Sequence, residues 1–304
     1  MEIIRSMKTN EWGEVGKLIF ASTNTWYEQN GKKPVFNCSP EDLSFFCEVY
    51  EALDPGCCLV AEIDGKIAAS CFYHPRPSHY SLGIMCVHPN FYGRGLAGKI
   101  LNKIIDLAMK ANKPLNLISS AMNLDSYSLY NKAGFIPKDF YQDMIIPVPE
   151  SGCQFSDEEP GTVRDATFKD IPAMVEVEKE IHGQDHGKDL QYIIKDSSGC
   201  WHCHIFENEG EIQGFLCSVK HASTNIIGLG AVRSASSTLP LIKSHLKYFK
   251  GQSPLIIVPA REKLIVQELL KMKARNVELH VTQSISKDPL QPVKGIVIPT
   301  FMPE

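Results

Sequence analysis

Val87-His88-Pro89-Asn90-Phe91-Tyr92-Gly93-Arg94-Gly95-Leu96-Ala97-Gly98 decides how this chain is read. An apolar run, Tyr80 to Val87, leads into it, and a helical pattern, Lys99 to Ala111, follows it. A strand, a glycine-rich turn and a helix N-terminus in that order make an anion cradle. The first N–H groups of a helix have no partner inside the helix, and the helix dipole adds partial positive charge there. Glycine at 93 and 95 lets the main chain come close to a phosphate.

Upstream, Glu2 to Lys8 reads as a strand, and Asn10 as the cap of a helix with apolar Trp12, Val15 and Ile19. Ser39-Pro40-Glu41-Asp42 starts a second helix that runs to Leu53. Cys58 to Ile63 and Lys66 to Tyr73 are strands joined by an Asp64-Gly65 hairpin turn. Downstream, Leu115 to Ala121 is a strand, Asn123 to Ala133 a short helix closed by Gly134, and Phe140 to Val148 a last strand. The order is β-α-α-β-β-β-α-β-α-β. Proline, glycine and acidic residues cluster from Pro147 to Gly161, which reads as a linker.

The second half repeats the first. Arg5 matches Arg164 at an offset of 159, and Gly65 matches Gly210 at 145. Leu82-Gly83-Ile84 matches Ile227-Gly228-Leu229 at the same 145, and Pro114-Leu115 matches Pro254-Leu255 at 140. Offsets that drift in one direction are what deletions in loops produce. The length of 304 residues independently favours two domains. The expected division is 1–149, a linker 150–161, and 162–304.

Bulk properties narrow the class. Hydrophobic content of 43% and charged content of 22% describe an ordinary globular protein. A net charge of −4 gives no footprint for nucleic acid or for an anionic membrane. No signal-peptide core and no membrane-length apolar run is present, so a cytoplasmic protein is expected. The ten cysteines lie mostly in apolar runs, among them Cys58, Cys71, Cys86 and Cys217, where a thiol acts as a small hydrophobe. Cys200-Trp201-His202-Cys203-His204 alternates like a strand and lacks a second CxxC, so no metal is expected.

Tyr92-Gly93-Arg94-Gly95-Leu96-Ala97 resembles the acetyl-CoA signature, Gln/Arg-x-x-Gly-x-Gly/Ala, of the GNAT superfamily of N-acetyltransferases. Tyr92 departs from the family's Gln or Arg. A second block, Asn123-Leu124-Asp125-Ser126-Tyr127-Ser128-Leu129-Tyr130-Asn131-Lys132-Ala133-Gly134-Phe135, resembles the family's Asn-x-x-Ala-x-x-Leu-Tyr-x-x-x-Gly-Phe helix. The resemblance implies an α/β fold: two tandem GNAT folds, each a mixed, mostly antiparallel twisted sheet flanked by helices. It also implies coenzyme A as cofactor, with the acetyl group passed to the primary amine of a small molecule by direct attack. Two other readings stay open: a protein or peptide amine as acceptor, and a CoA-binding regulatory or scaffold protein with little turnover. A Rossmann unit would need an acidic residue ending the next strand, and Leu115 to Ala121 has none.

The residues implied for the cofactor are Cys86, Val87, Tyr92, Gly93, Arg94, Gly95, Leu96, Ala97, Gly98, Asn123 and Tyr130. Tyr130 is the expected catalytic residue, since a phenol can protonate a departing thiolate. In the family, the strand before the cradle carries a bulge and splays from its neighbour, and a freed N–H polarises the thioester; residues Ile84 to Val87 occupy that place. Glu28, His74, His79 and a water relay are the alternatives for the base. Trp26, Tyr27, Glu28 and Phe36 form either a substrate pocket or half-buried packing. His88 reads as a turn residue. In the second half the cradle positions become Thr238, Pro240 and Ile242, and Asn123 and Tyr130 become Lys263 and Leu270. That copy therefore reads as degenerate, without acetyl-CoA. No nucleic-acid or membrane partner is expected, and the protein is expected to be a monomer or homodimer.

Overall fold

The computed structural model describes residues 1–153, 161–196, 198–287 and 292–301. The first half runs β1 (Glu2–Ser6), α1 (Trp12–Gln29), α2 (Ser44–Leu53), β2 (Cys58–Ile63), β3 (Lys66–Pro75), β4 (Tyr80–Val87), α3 (Leu96–Lys110), β5 (Leu115–Ser120), α4 (Leu124–Lys132) and β6 (Ile136–Ile145). This is the expected order. The Ser39 hydroxyl accepts from the Glu41 N–H at 3.3 Å and the Asp42 carboxylate from the Ser39 N–H at 2.9 Å, the capping pair read from the sequence. α3 begins three residues before the expected Lys99, because Gly95, directly before Leu96, takes the left-handed conformation (φ +72°) that admits the helix. The last strand begins at Ile136, directly after the Gly134 turn, not at Phe140.

The second half runs β7 (Thr162–Asp165), α5 (Ile171–His182), α6 (Gly187–Lys195), β8 (Trp201–Asn208), β9 (Glu211–His221), β10 (Thr224–Val232), α7 (Ala235–Leu246), β11 (Leu255–Pro259), α8 (Lys263–Lys271), β12 (Arg275–Ile285) and β13 (Ile296–Ile298). The repeat extends to side-chain pairing. Arg5 joins Glu62 on β2 to Glu11 before α1, and Arg164 joins Glu207 on β8 to Asp170 before α5. Both hairpin turns have the same backbone, Asp64 and Gly65 at φ +50° and +80° and Glu209 and Gly210 at +51° and +81°. Most of the expected linker, residues 154–160, lies outside the described residues.

The two halves build one sheet, in the order β1-β2-β3-β4-β5-β12-β6-β11-β10-β9-β8-β7, with β13 attached to β10. The described pairings are antiparallel except β4–β5 and β10–β11. Each half gives its last long strand to the other. β12 pairs with β5 from His280↔Ser120 to Ile285↔Leu115, and β6 pairs with β11 from Tyr141↔Pro259 to Ile145↔Leu255. The exchange satisfies the backbone groups that each half would otherwise leave at a sheet edge.

A buried ion network ties the halves a second time. The Arg76 guanidinium bonds both Asp54, beside α2, and Asp189 on α6, with Nη2 2.6 Å from the Asp189 carboxylate. Such a network fixes geometry more than it adds stability, since desolvation offsets much of the Coulombic gain. No helix among the described residues is long and apolar enough to cross a membrane.

Candidate active site

β4 and β5 are paired only at Tyr80↔Leu115 and Ser81↔Asn116, and then diverge. A register shift against β3 inserts one extra residue in β4, between the Tyr73↔Leu82 and Cys71↔Met85 pairs. A bulge of this kind bends a strand away from its neighbour. Gly83 sits at the bend, where an added Cβ would stand 2.8 Å from the His74 ring and 3.0 Å from Phe72 Cβ. Beyond the bend the His88 N–H donates to the Ala68 carbonyl of β3 at 2.8 Å. Antiparallel alternation then turns Cys86 toward β3 and leaves the main-chain groups of Met85 and Val87 facing the gap.

The gap opens into a cleft of about 570 Å³ lined by Phe91 to Gly98 of the opening motif, together with Cys86, Val87 and Asn123. Gly93 (φ +76°) and Gly95 (φ +72°) take left-handed backbone, and a Cβ at either would meet no atom within 4 Å. Glycine is thus required there by the turn itself, while the space above it stays open. Lys99 is bonded to the Gly95 carbonyl at 3.1 Å, so the N–H groups of Leu96, Ala97 and Gly98 remain for an anion. His88 caps the short turn at Pro89–Phe91, its Nδ1 accepting from the Asn90 N–H at 3.2 Å. Arg94 lies over the Phe91 ring at 5.1 Å. Tyr92, the residue that departs from the motif, lines the cleft together with Ser22 of α1.

α1 forms the opposite wall through Ser22, Thr23, Trp26 and Tyr27. Ser22 and Thr23 lie one turn before Trp26 and Tyr27, a spacing that could have announced them. Glu28 and Phe36 do not line the cleft. The helical rotation of about 100° per residue carries Glu28 to the exposed face. Phe36 packs in the core with Phe20 and Phe46 instead, at ring distances of 6.5 and 6.1 Å. Of the candidate bases, His74 is buried against Asp54 at 2.8 Å and His79 stands 5.3 Å from His186, and neither lines the cleft.

Asn123 lines the cleft and also caps α4, its Oδ1 accepting from the Ser126 N–H at 3.0 Å, which leaves the amide N–H groups to donate. Tyr130 is 7% exposed and packs on Phe135 with ring centroids 5.7 Å apart, behind the cleft wall made by Ser126 and Leu129. Burial pushes its phenol above the ordinary value, and Cys71 and Cys86 are the ionisable groups that bear on it. The Cys86 thiol is itself pushed up to about 11 by burial, which leaves it protonated and no nucleophile.

The corresponding place in the second half is closed twice over. Between β4 and α3 lie eight residues, His88 to Gly95, whereas only Arg233 and Ser234 separate β10 from α7. The second half therefore has no counterpart of the glycine turn, and Ser234 caps α7 directly by accepting from the Ser237 N–H at 3.2 Å. This corrects the alignment of Thr238, Pro240 and Ile242 with the cradle, since all three lie inside α7. The gap beside β10 is also filled. β13 pairs there antiparallel at Gly230, Ala231 and Val232, the positions that match Met85, Cys86 and Val87.

One residue directly behind the cleft wall comes from the second half. Glu278 on β12 accepts hydrogen bonds from the Tyr27 and Ser120 hydroxyls, and both donors line the cleft. No local pattern announces it, because only the strand exchange brings it there.

The acetyltransferase (GNAT) family model matches residues 22–135. None of the curated protein sequences matches the chain. Among solved structures, a candidate acetyltransferase from Pyrococcus horikoshii is similar over 100% of this chain and 96% of its own, with a TM-score of 0.79 at 17% identity. A GCN5-related N-acetyltransferase from Sphaerobacter thermophilus is similar over 97% and 98%, with a TM-score of 0.66 at 19% identity. A tandem GNAT protein from the clavulanic acid biosynthesis pathway is similar over 96% and 100%, with a TM-score of 0.65 at 10% identity. At these identities the likeness is one of fold, and it spans both halves.

Proposed function

From the match of residues 22–135 to the acetyltransferase (GNAT) family, we propose that the chain is an N-acetyltransferase carrying acetyl groups from acetyl-CoA to the primary amine of a small molecule. The observation that carries this reading is the splayed β4–β5 edge leading to a helix N-terminus, in the one half where that gap is open. The cleft suits the cofactor's chemistry. Leu96, Ala97 and Gly98 offer N–H groups to a pyrophosphate, and the free edge of Met85 and Val87 offers main-chain partners to an amide-bearing arm. β13 on β10 supports the second point, since the matching edge in the other half accepts an added strand.

Acetyl-CoA supplies a thioester, an acetyl group already activated toward an amine. The protein's part is positional and electrostatic. An N–H of Met85 or Val87, fixed by the bulge, stabilises negative charge on the carbonyl oxygen. Tyr130, kept protonated by burial, holds the proton that a thiolate needs as it leaves. Asn123, with its carbonyl engaged in the helix cap, donates toward the arm.

The test is a screen of primary amines for thiol release from acetyl-CoA. Release that depends on one class of amine is the expected result. Release with none of them, while acetyl-CoA binds, would contradict the reading.

A further inference from the structure

Glu278 is 7% exposed, and its two carboxylate oxygens accept from separate hydroxyls, Oε2 from Tyr27 and Oε1 from Ser120. Among the described residues no Lys, Arg or His forms an ion pair with it. The contrast lies next door. Asp143, which stands opposite Glu278 in the β6–β12 register, is held by His280 at 2.7 Å. A carboxylate withdrawn from water without a cation is costly, and two neutral hydroxyls offset only part of that cost. Both hydroxyls face a cleft whose proposed acceptor is an amine, a group that is a cation in water near neutral pH. The missing countercharge and the incoming charge match.

We propose that Glu278 receives the acceptor. Its carboxylate draws the ammonium to the Tyr27–Ser120 wall and takes its proton through the Tyr27 hydroxyl, so that the second half completes the acceptor site of the first. In that step the ammonium N–H bond breaks and its proton goes to the Tyr27 oxygen, while the Tyr27 O–H proton passes to Glu278 Oε2. One proton moves from nitrogen to carboxylate, and the amine lone pair is freed for attack. The groups facing this path are Tyr27 on α1, Ser120 on β5, Asp143 on β6 and His280 on β12 itself. Lys32, beyond the end of α1, holds its Nζ 5.2 Å from the Tyr27 ring. The assignment rests on the acetyl-transfer reading.

The experiment compares the wild type with Glu278→Gln, using acetyl-CoA and spermidine, 2-phenylethylamine or glucosamine, with thiol release followed against pH. Glu278→Gln is expected to lower kcat at neutral pH by about 100-fold with KM for acetyl-CoA unchanged, and to recover as pH rises and the amine loses its proton to solvent. Glu278→Asp should regain part of the loss. Wild-type kcat and pH profile in Glu278→Gln would overturn the assignment. If the wild type releases no thiol with any of these amines, the acetyl-transfer reading fails, and Glu278 is then judged by calorimetry of the same amines into CoA-saturated protein. Affinity weakened about tenfold by Glu278→Gln supports it; equal affinity, or no binding by the wild type, overturns it. Should Glu278→Gln not fold, Tyr27→Phe keeps the ring and removes the relay hydroxyl. A fall in its kcat supports the path, and an unchanged kcat overturns it.

Discussion

Tyr130 illustrates what a single residue can reveal from sequence. Its place in the Asn123 to Phe135 block was legible, but its burial behind Ser126 and Leu129 was not, since burial depends on how α4 lies on the sheet. The phenol's pKa is raised by burial, so Tyr130 stays protonated through neutral pH and loses its proton only above the ordinary phenol range. Tyr130→Phe keeps the ring against Phe135 and removes the proton. It is expected to lower kcat by about 100-fold and to leave acetyl-CoA affinity unchanged. Steady-state kinetics with calorimetry measures both, and an unchanged kcat would remove Tyr130 from the mechanism. Glu28 and Phe36 show the opposite case. Residue type suggested a pocket, but helix phase and core packing sent both elsewhere.

Among the elements, those set by local chemistry are legible in the sequence. Asp64-Gly65, Ser39 with Asp42, and the Gly93 and Gly95 turn all form as their chemistry dictates. The pairing of α5 with α6 was not legible, because it depends on Glu178 and His186 meeting in the interior. Their side chains lie 2.6 Å apart, and both are buried. Burial alone would lower the His186 pKa, but the Glu178 carboxylate outweighs it and holds the imidazole up at about 9; burial opposes ionisation of Glu178 too, and His186 and His182 hold its pKa down. A histidine raised from 6.5 stabilises the fold fully below about pH 6.5, and that contribution is lost as pH rises through about 9. A carboxylate lowered from 4.5 stabilises above about pH 4.5 and loses its contribution as pH falls. The pair therefore acts in full between about pH 4.5 and 6.5. Denaturant unfolding of the wild type should lose up to about 3 kcal/mol between pH 6.5 and 9.5, and His186→Gln should flatten that slope. Equal slopes in the two proteins would contradict this account.

At the scale of the whole molecule, the repeat was visible in the offsets, and the structure carries it down to the Arg5 and Arg164 bridges. What the offsets could not show is that the halves exchange β6 and β12, because strand exchange leaves the order of elements unchanged. Nor could they show that β13 fills the second gap, since a short apolar run near the end of a chain names no partner. The corresponding places in the two halves are thus built differently. The first half keeps its turn, its free edge and its cleft, while the second has lost the turn and occupies its own edge. Only the first of the two places is expected to hold acetyl-CoA, and titration calorimetry counts the sites. One site per chain, abolished by Gly95→Pro because proline cannot adopt φ +72°, is the predicted result. Two sites per chain, or one site that survives Gly95→Pro, would contradict it.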